Sequence, residues 1–171
     1  MNKKGFTLVE LLAVIAILAI LVLVAVPNVL GMFNNAKKDT FATETKDMIR
    51  IAQQQYLADF GKWNYYAIEV SKSDDPNAVD TKECTSTSGP EFKLETDGKT
   101  IKKDANGEPI VETYCKINKD AGNLKKFTIS FVPSKGDVAS IYSSDGTYEY
   151  TFSGGTFNAK DIDENVTEVS K

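Results

Sequence analysis

The sequence predicts an α+β fold: a long N-terminal helical spine packed against an antiparallel β-sheet of about three to four strands. Three observations predict it. Leu11 to Val26 is built only of Leu, Ala, Val and Ile, a helix-length apolar run. Phe41, Thr45, Met48, Ala52 and Tyr56 then step by three or four residues, with Phe60 continuing the stripe, which is the period of an amphipathic helix. Finally, Phe127, Ile129 and Phe131, and later Tyr148, Tyr150 and Phe152, alternate with period two, as strands with one buried face do.

In the apolar element, Phe6 to Phe33 covers 28 residues, about 42 Å as a helix, against a bilayer core of about 30 Å. Lys3 and Lys4 precede it, so the positive-inside rule places the N-terminus in the cytoplasm and the remainder outside. Glu10 is an acid at the head of this run, and no charge follows until Lys37. A carboxylate within the bilayer costs about 2.5 to 3.5 kcal/mol on insertion scales, so such a group has a partner or a function. Pro27 falls within the helical pattern, where it removes one backbone hydrogen bond and predicts a kink or local melting.

The stretch Lys3-Lys4-Gly5-Phe6-Thr7-Leu8-Val9-Glu10-Leu11-Leu12 resembles the class III signal of type IV pilins and pseudopilins. The resemblance implies that a prepilin peptidase cuts between Gly5 and Phe6 and that the new amine of Phe6 is N-methylated. Glu10 then stands five residues into the mature chain, where the family places its assembly glutamate. Glycine on the leaving side presents no side chain to the peptidase. In a stack of subunits, Glu10 of one chain would pair with the Phe6 amine of another, lowering the cost of burying both charges and setting the axial register. By the same resemblance, partners are identical subunits, the prepilin peptidase, a membrane platform and an assembly ATPase. The protein would be a single-pass precursor in the cytoplasmic membrane, then part of an extracellular pilus. The expected shape is the pilin lollipop.

Two other readings of the N-terminus stand beside this one. A secretory signal explains the lysines, but its apolar region is ordinarily shorter and carries no acid, and no small-x-small site precedes Pro27. A plain membrane anchor carrying a monomeric adhesin or binding module explains the length, but not Gly5-Phe6 or the offset of Glu10. Within the family, a minor pilin or a pseudopilin of type II secretion or DNA uptake is the alternative to a major pilin.

The expected organisation is a leader at 1–5, an apolar transmembrane or filament-core helix at 6–33, and the amphipathic half of the spine at 34–61, with Gly61 as its stop. A long loop region at 62–123 follows, rich in turn formers such as Ser73-Asp74-Asp75-Pro76-Asn77, with one short strand over Glu112 to Ile117. An antiparallel meander occupies 124–157: Lys126 to Val132, Val138 to Tyr142, and the Tyr148, Tyr150, Phe152 strand. Residues 158–171 form an acidic tail.

Composition narrows the chemistry. Loss of Lys3 and Lys4 with the leader leaves 18 basic against 24 acidic side chains, a formal −6 before the new termini, so no basic nucleic-acid surface is expected. Histidine is absent. Cys84 and Cys115 lack metal-ligand spacing; outside the cell they would form one disulfide, worth about 3 to 4 kcal/mol in the chain-entropy account, and otherwise they are two free thiols. Both precede the meander, unlike the C-terminal staple of many pilins. Some pseudopilins bind calcium near the C-terminus, which makes Asp161, Asp163 and Glu164 the metal candidates, as Ser73-Asp74-Asp75 is elsewhere. Neither cluster has the spacing of an EF-hand loop, and a solvated acidic surface is the expectation. No cofactor and no catalytic residue is expected, and there is no GxxxxGK[ST] nucleotide loop. The protein reads as a structural subunit rather than an enzyme.

Overall fold

Helix α1 runs from Leu8 to Ala58 and crosses the boundary between two units, Met1–Asp39 and Thr40–Lys171. The computed structural model describes residues 7–70, 78–84, 89–105, 107, 109–133 and 135–170. Gly5 and Phe6, and the Ser73-Asp74-Asp75 cluster, lie outside them.

In the first unit the helix is continuous through Pro27, so the backbone does not melt there. Its large apolar side chains are all exposed, from 47% at Val26 to 79% at Leu8. Lys37 places its ammonium 4.8 Å from the centroid of the Phe33 ring, one helical turn away, so the first cation after the apolar run rests on its last aromatic.

In the second unit the stripe from Phe41 to Tyr56 is buried, every member at 7% exposure or less. It packs on a sheet formed by β1 (Tyr65–Ala67), β2 (Asp80–Lys82), β3 (Glu91–Phe92), β4 (Val111–Lys116), β5 (Lys126–Phe131), β6 (Val138–Ser144), β7 (Tyr148–Ser153) and β8 (Thr167–Glu168). Tyr56 stacks against Phe131 at 4.7 Å, and Phe41 meets Tyr148 at 6.2 Å between ring centroids. Between those aromatic ends, the buried hydroxyls of Thr45 and Ser143 share a 2.8 Å hydrogen bond. That bond ties one turn of the helix to β6 and satisfies two polar groups that would otherwise be buried alone.

The helix stops where expected, with one difference. Phe60 and Gly61 both take left-handed φ, 54° and 68°, and the Gly61 N–H returns to the Tyr56 carbonyl at 3.0 Å. Gly61 is required twice over, because a Cβ there would stand 2.9 Å from the Tyr56 hydroxyl. Phe60 is not part of the buried stripe. It lies beyond the last helical residue and its ring is 90% exposed.

The sheet departs from expectation in size and direction. It is mixed and eight-stranded, ordered β2-β4-β1-β5-β6-β7-β8 with β3 also on β4. The β5-β6-β7 meander is antiparallel as anticipated, but β1 and β2 both pair β4 in parallel. The segment 62–123 is therefore not a long loop: it supplies four strands, three of them only two or three residues long, too short to display alternation. The tail is not simply solvated either. Helix α2 (Asp161–Asn165) buries Ile162, and Val166 after it is buried too. The two lie four positions apart, with Asp163, Glu164 and Asn165 between them.

Candidate functional site

The start of α1 is shaped by a reciprocal cap. Thr7 is the residue before the first helical position, and Glu10 is the third residue within the helix. The Glu10 N–H donates to Thr7 Oγ1 at 3.3 Å, while Glu10 Oε2 accepts from the Thr7 N–H and from its hydroxyl, both at 2.8 Å. This is the capping box, in which Ser or Thr and a Glu three residues later satisfy one another's backbone donors. The Thr-x-x-Glu spacing ahead of an apolar run is legible in the sequence, yet it is easily overlooked behind the question of what charge meets Glu10.

The cap has a chemical consequence. It turns the carboxylate back toward the helix start and holds it against the positive end of the helix dipole. Both contacts with Thr7 fall on Oε2; among the described residues no cation meets this acid. Glu10 is exposed, so the described residues supply it with neither burial nor a countercharge.

The remaining candidates lie in the second unit. Cys84 and Cys115 are joined in a disulfide, with Cα atoms 5.3 Å apart across a separation of 31 residues, within the ordinary range for such bonds. Cys115 is fully buried on β4, so the bond pins the end of a chain segment beside the sheet's parallel strands. Among the described residues, Asp59 is the carboxylate that groups with this sulfur pair. It accepts from the Tyr66 hydroxyl at 3.4 Å, and burial, reinforced by the Asp59 charge, pushes the Tyr66 phenol well above its ordinary range. The three side chains could hold a metal only if the disulfide were reduced.

The acids near the C-terminus do not assemble a site. Asp163 receives Lys46 of α1 at 2.6 Å on both carboxylate oxygens, an ion pair joining α2 to the spine. Among the described residues, Asp161, Asp163 and Glu164 do not converge within ligating distance.

Residues 1–26 match the family described as the prokaryotic N-terminal methylation motif. This motif is the class III signal peptide of type IV pilins and pseudopilins, and it implies processing by a prepilin peptidase. It points to a structural protein rather than an enzyme. Together with an apolar helix long enough to cross a bilayer, it fits the membrane anchoring of a pilin precursor. No curated protein and no solved structure matches the chain.

Proposed function

We propose that the protein is the structural subunit of a type IV pilus, a major pilin. Cleavage after Gly5 frees the amine of Phe6, which is N-methylated and stays cationic. Identical subunits then pack through their apolar helices. Glu10 of one subunit receives the Phe6 ammonium of another, while the Thr7 cap keeps its carboxylate turned toward the helix start.

One observation carries this reading: from Leu8 to Phe33 the helix exposes its apolar side chains, and the one acid within that stretch, Glu10, is capped but without a cation among the described residues. Membrane lipid can cover the surface in the precursor, but lipid supplies no ammonium at a fixed position. A neighbouring subunit supplies both. The two cysteines, on the outer side of the membrane, are in a compartment where their bond persists. Assembly also requires the platform protein and the ATPase, since the chain has no nucleotide loop of its own.

The test is the mass and N-terminal sequence of the dominant protein in shed surface filaments. A start at methylated Phe6 supports the reading. A chain retaining Met1 to Gly5 and absent from filaments contradicts it and favours an anchored monomer, while a cleaved chain present only in traces favours a minor pilin or pseudopilin.

A further inference from the structure

The head carries one Asn-x-Ser/Thr triplet, Asn165-Val166-Thr167, and no other asparagine in the chain has serine or threonine two residues on. A triplet of this kind, with a middle residue other than proline, is the acceptor pattern for N-linked glycans on secreted surfaces. Three letters recur by chance. The fold adds the placement of the two side chains that such a transfer uses.

Asn165 is the last residue of α2, and the backbone becomes extended at Val166, with φ −70° and ψ 125°. Successive side chains alternate across an extended backbone. Val166 is the one that enters the core, while Asn165 and Thr167 on either side of it are exposed. Both line one cleft of about 400 Å³, together with Tyr150, Phe152, Ser153 and Asp161. The Asn165 amide donates one N–H to the Asp161 carbonyl at 2.7 Å, and an amide nitrogen carries two. Thr167 lies on β8 at the edge of the sheet, and its hydroxyl reaches the Glu149 carbonyl only at 3.5 Å, well beyond the ordinary length of such a bond. An enzyme can therefore engage the amide and the hydroxyl from one side without displacing a core residue.

We propose that Asn165 is an N-glycosylation site whose donor is an oligosaccharide carried on a polyprenyl diphosphate at the outer face of the membrane. Asn165 Nδ2 forms a bond to the anomeric carbon of the donor, the bond from that carbon to the diphosphate oxygen breaks, and the lipid diphosphate leaves with the electron pair. One amide proton passes to a base of the transferase. The product amide keeps its other N–H, enough for the bond to the Asp161 carbonyl. The cleft receives the first sugar, with the Phe152 ring as an apolar wall and Ser153 and Asp161 as polar ones. The proposal rests on export of the head in the reading above and is independent of Glu10 and of polymerisation.

The test recovers the full-length protein from the cells that make it naturally, digests it with trypsin, and weighs and fragments the peptide 161–171. The expected result is that most of this peptide carries a glycan attached at Asn165, and that Thr167→Val abolishes the glycan at an unchanged head melting temperature. A bare wild-type peptide, a sugar on Thr167 or Ser170, or a glycan that survives Thr167→Val overturns the proposal. Should Thr167→Val fail to accumulate, the wild-type peptide decides alone. Leader cleavage and filament yield are read on the same samples. A bare peptide from a cleaved, polymerised chain overturns the modification and leaves assembly intact, whereas a glycan at Asn165 of a chain that stays unpolymerised supports the modification and overturns the assembly reading.

Discussion

The two halves of α1 obey the same backbone rules and opposite burial rules. Before residue 40, large apolar side chains are 47% to 79% exposed all around the helix; after it, one stripe is almost wholly buried and the opposite face is polar. The helix in the second unit gains its stability from tertiary packing on the sheet. The helix in the first unit has no such surface within its own unit, so what covers it is lipid or protein supplied from outside. One element can therefore serve two solvents, and its sequence declares which: all-round Leu, Ile and Val for the first, a stripe with period 3.6 for the second.

Substitutions can break this contrast. Phe41→Ala removes a ring packed on Tyr148 and should cost about 3 to 5 kcal/mol of head stability, read as a lowered melting temperature of the full chain in detergent. Leu18→Ala, in the exposed half, should leave that temperature unchanged; equal losses at both sites would refute the division. Replacing Cys84 and Cys115 by serine should cost about 3 to 4 kcal/mol, and reductant should lower the wild-type melting temperature but not that of the variant. Thr45→Val leaves the Ser143 hydroxyl buried without its partner and should cost about 1 to 3 kcal/mol, with no effect on precursor cleavage.

The smallest effect is electrostatic. Lys82, through a 2.5 Å ion pair, holds the Glu91 carboxyl below its ordinary range, with a lesser contribution from Thr113. A depressed folded pKa means that the stabilisation is present above the unfolded pKa and is lost as pH falls through the folded one. Glu91→Gln should thus flatten the acid limb of the stability profile slightly and leave neutral stability nearly unchanged, because both groups are exposed. A steeper acid limb in the variant would reverse this assignment.

Much of this arrangement is legible in the residues, and the exceptions have physical reasons. The stripe of α1 and the β5-β6-β7 meander are long enough to display their periods, and hairpin turns link neighbours in sequence. β1 to β3 span only two or three residues each, and β1 and β2 find their place by parallel pairing with β4, which no local pattern announces. Ile162 and Val166 are two apolar residues among acids, and composition hides them until their spacing of four is noticed. At the site, Glu10 stands out as an isolated charge, whereas Thr7 becomes informative only through its distance to that charge. Phe60 was consistent with the stripe in spacing, but the helix ends first and its ring turns outward.

The central claim is that Glu10 is joined to an ammonium from another subunit. Glu10→Val removes one partner of a buried pair, a change that costs about 3 to 5 kcal/mol at each contact. The decisive measurement is the yield of surface filaments from cells making this variant, alongside its leader cleavage and head melting temperature. The account predicts cleaved, folded subunits retained in the membrane with filaments lost. Filaments at wild-type yield and of wild-type register would contradict it.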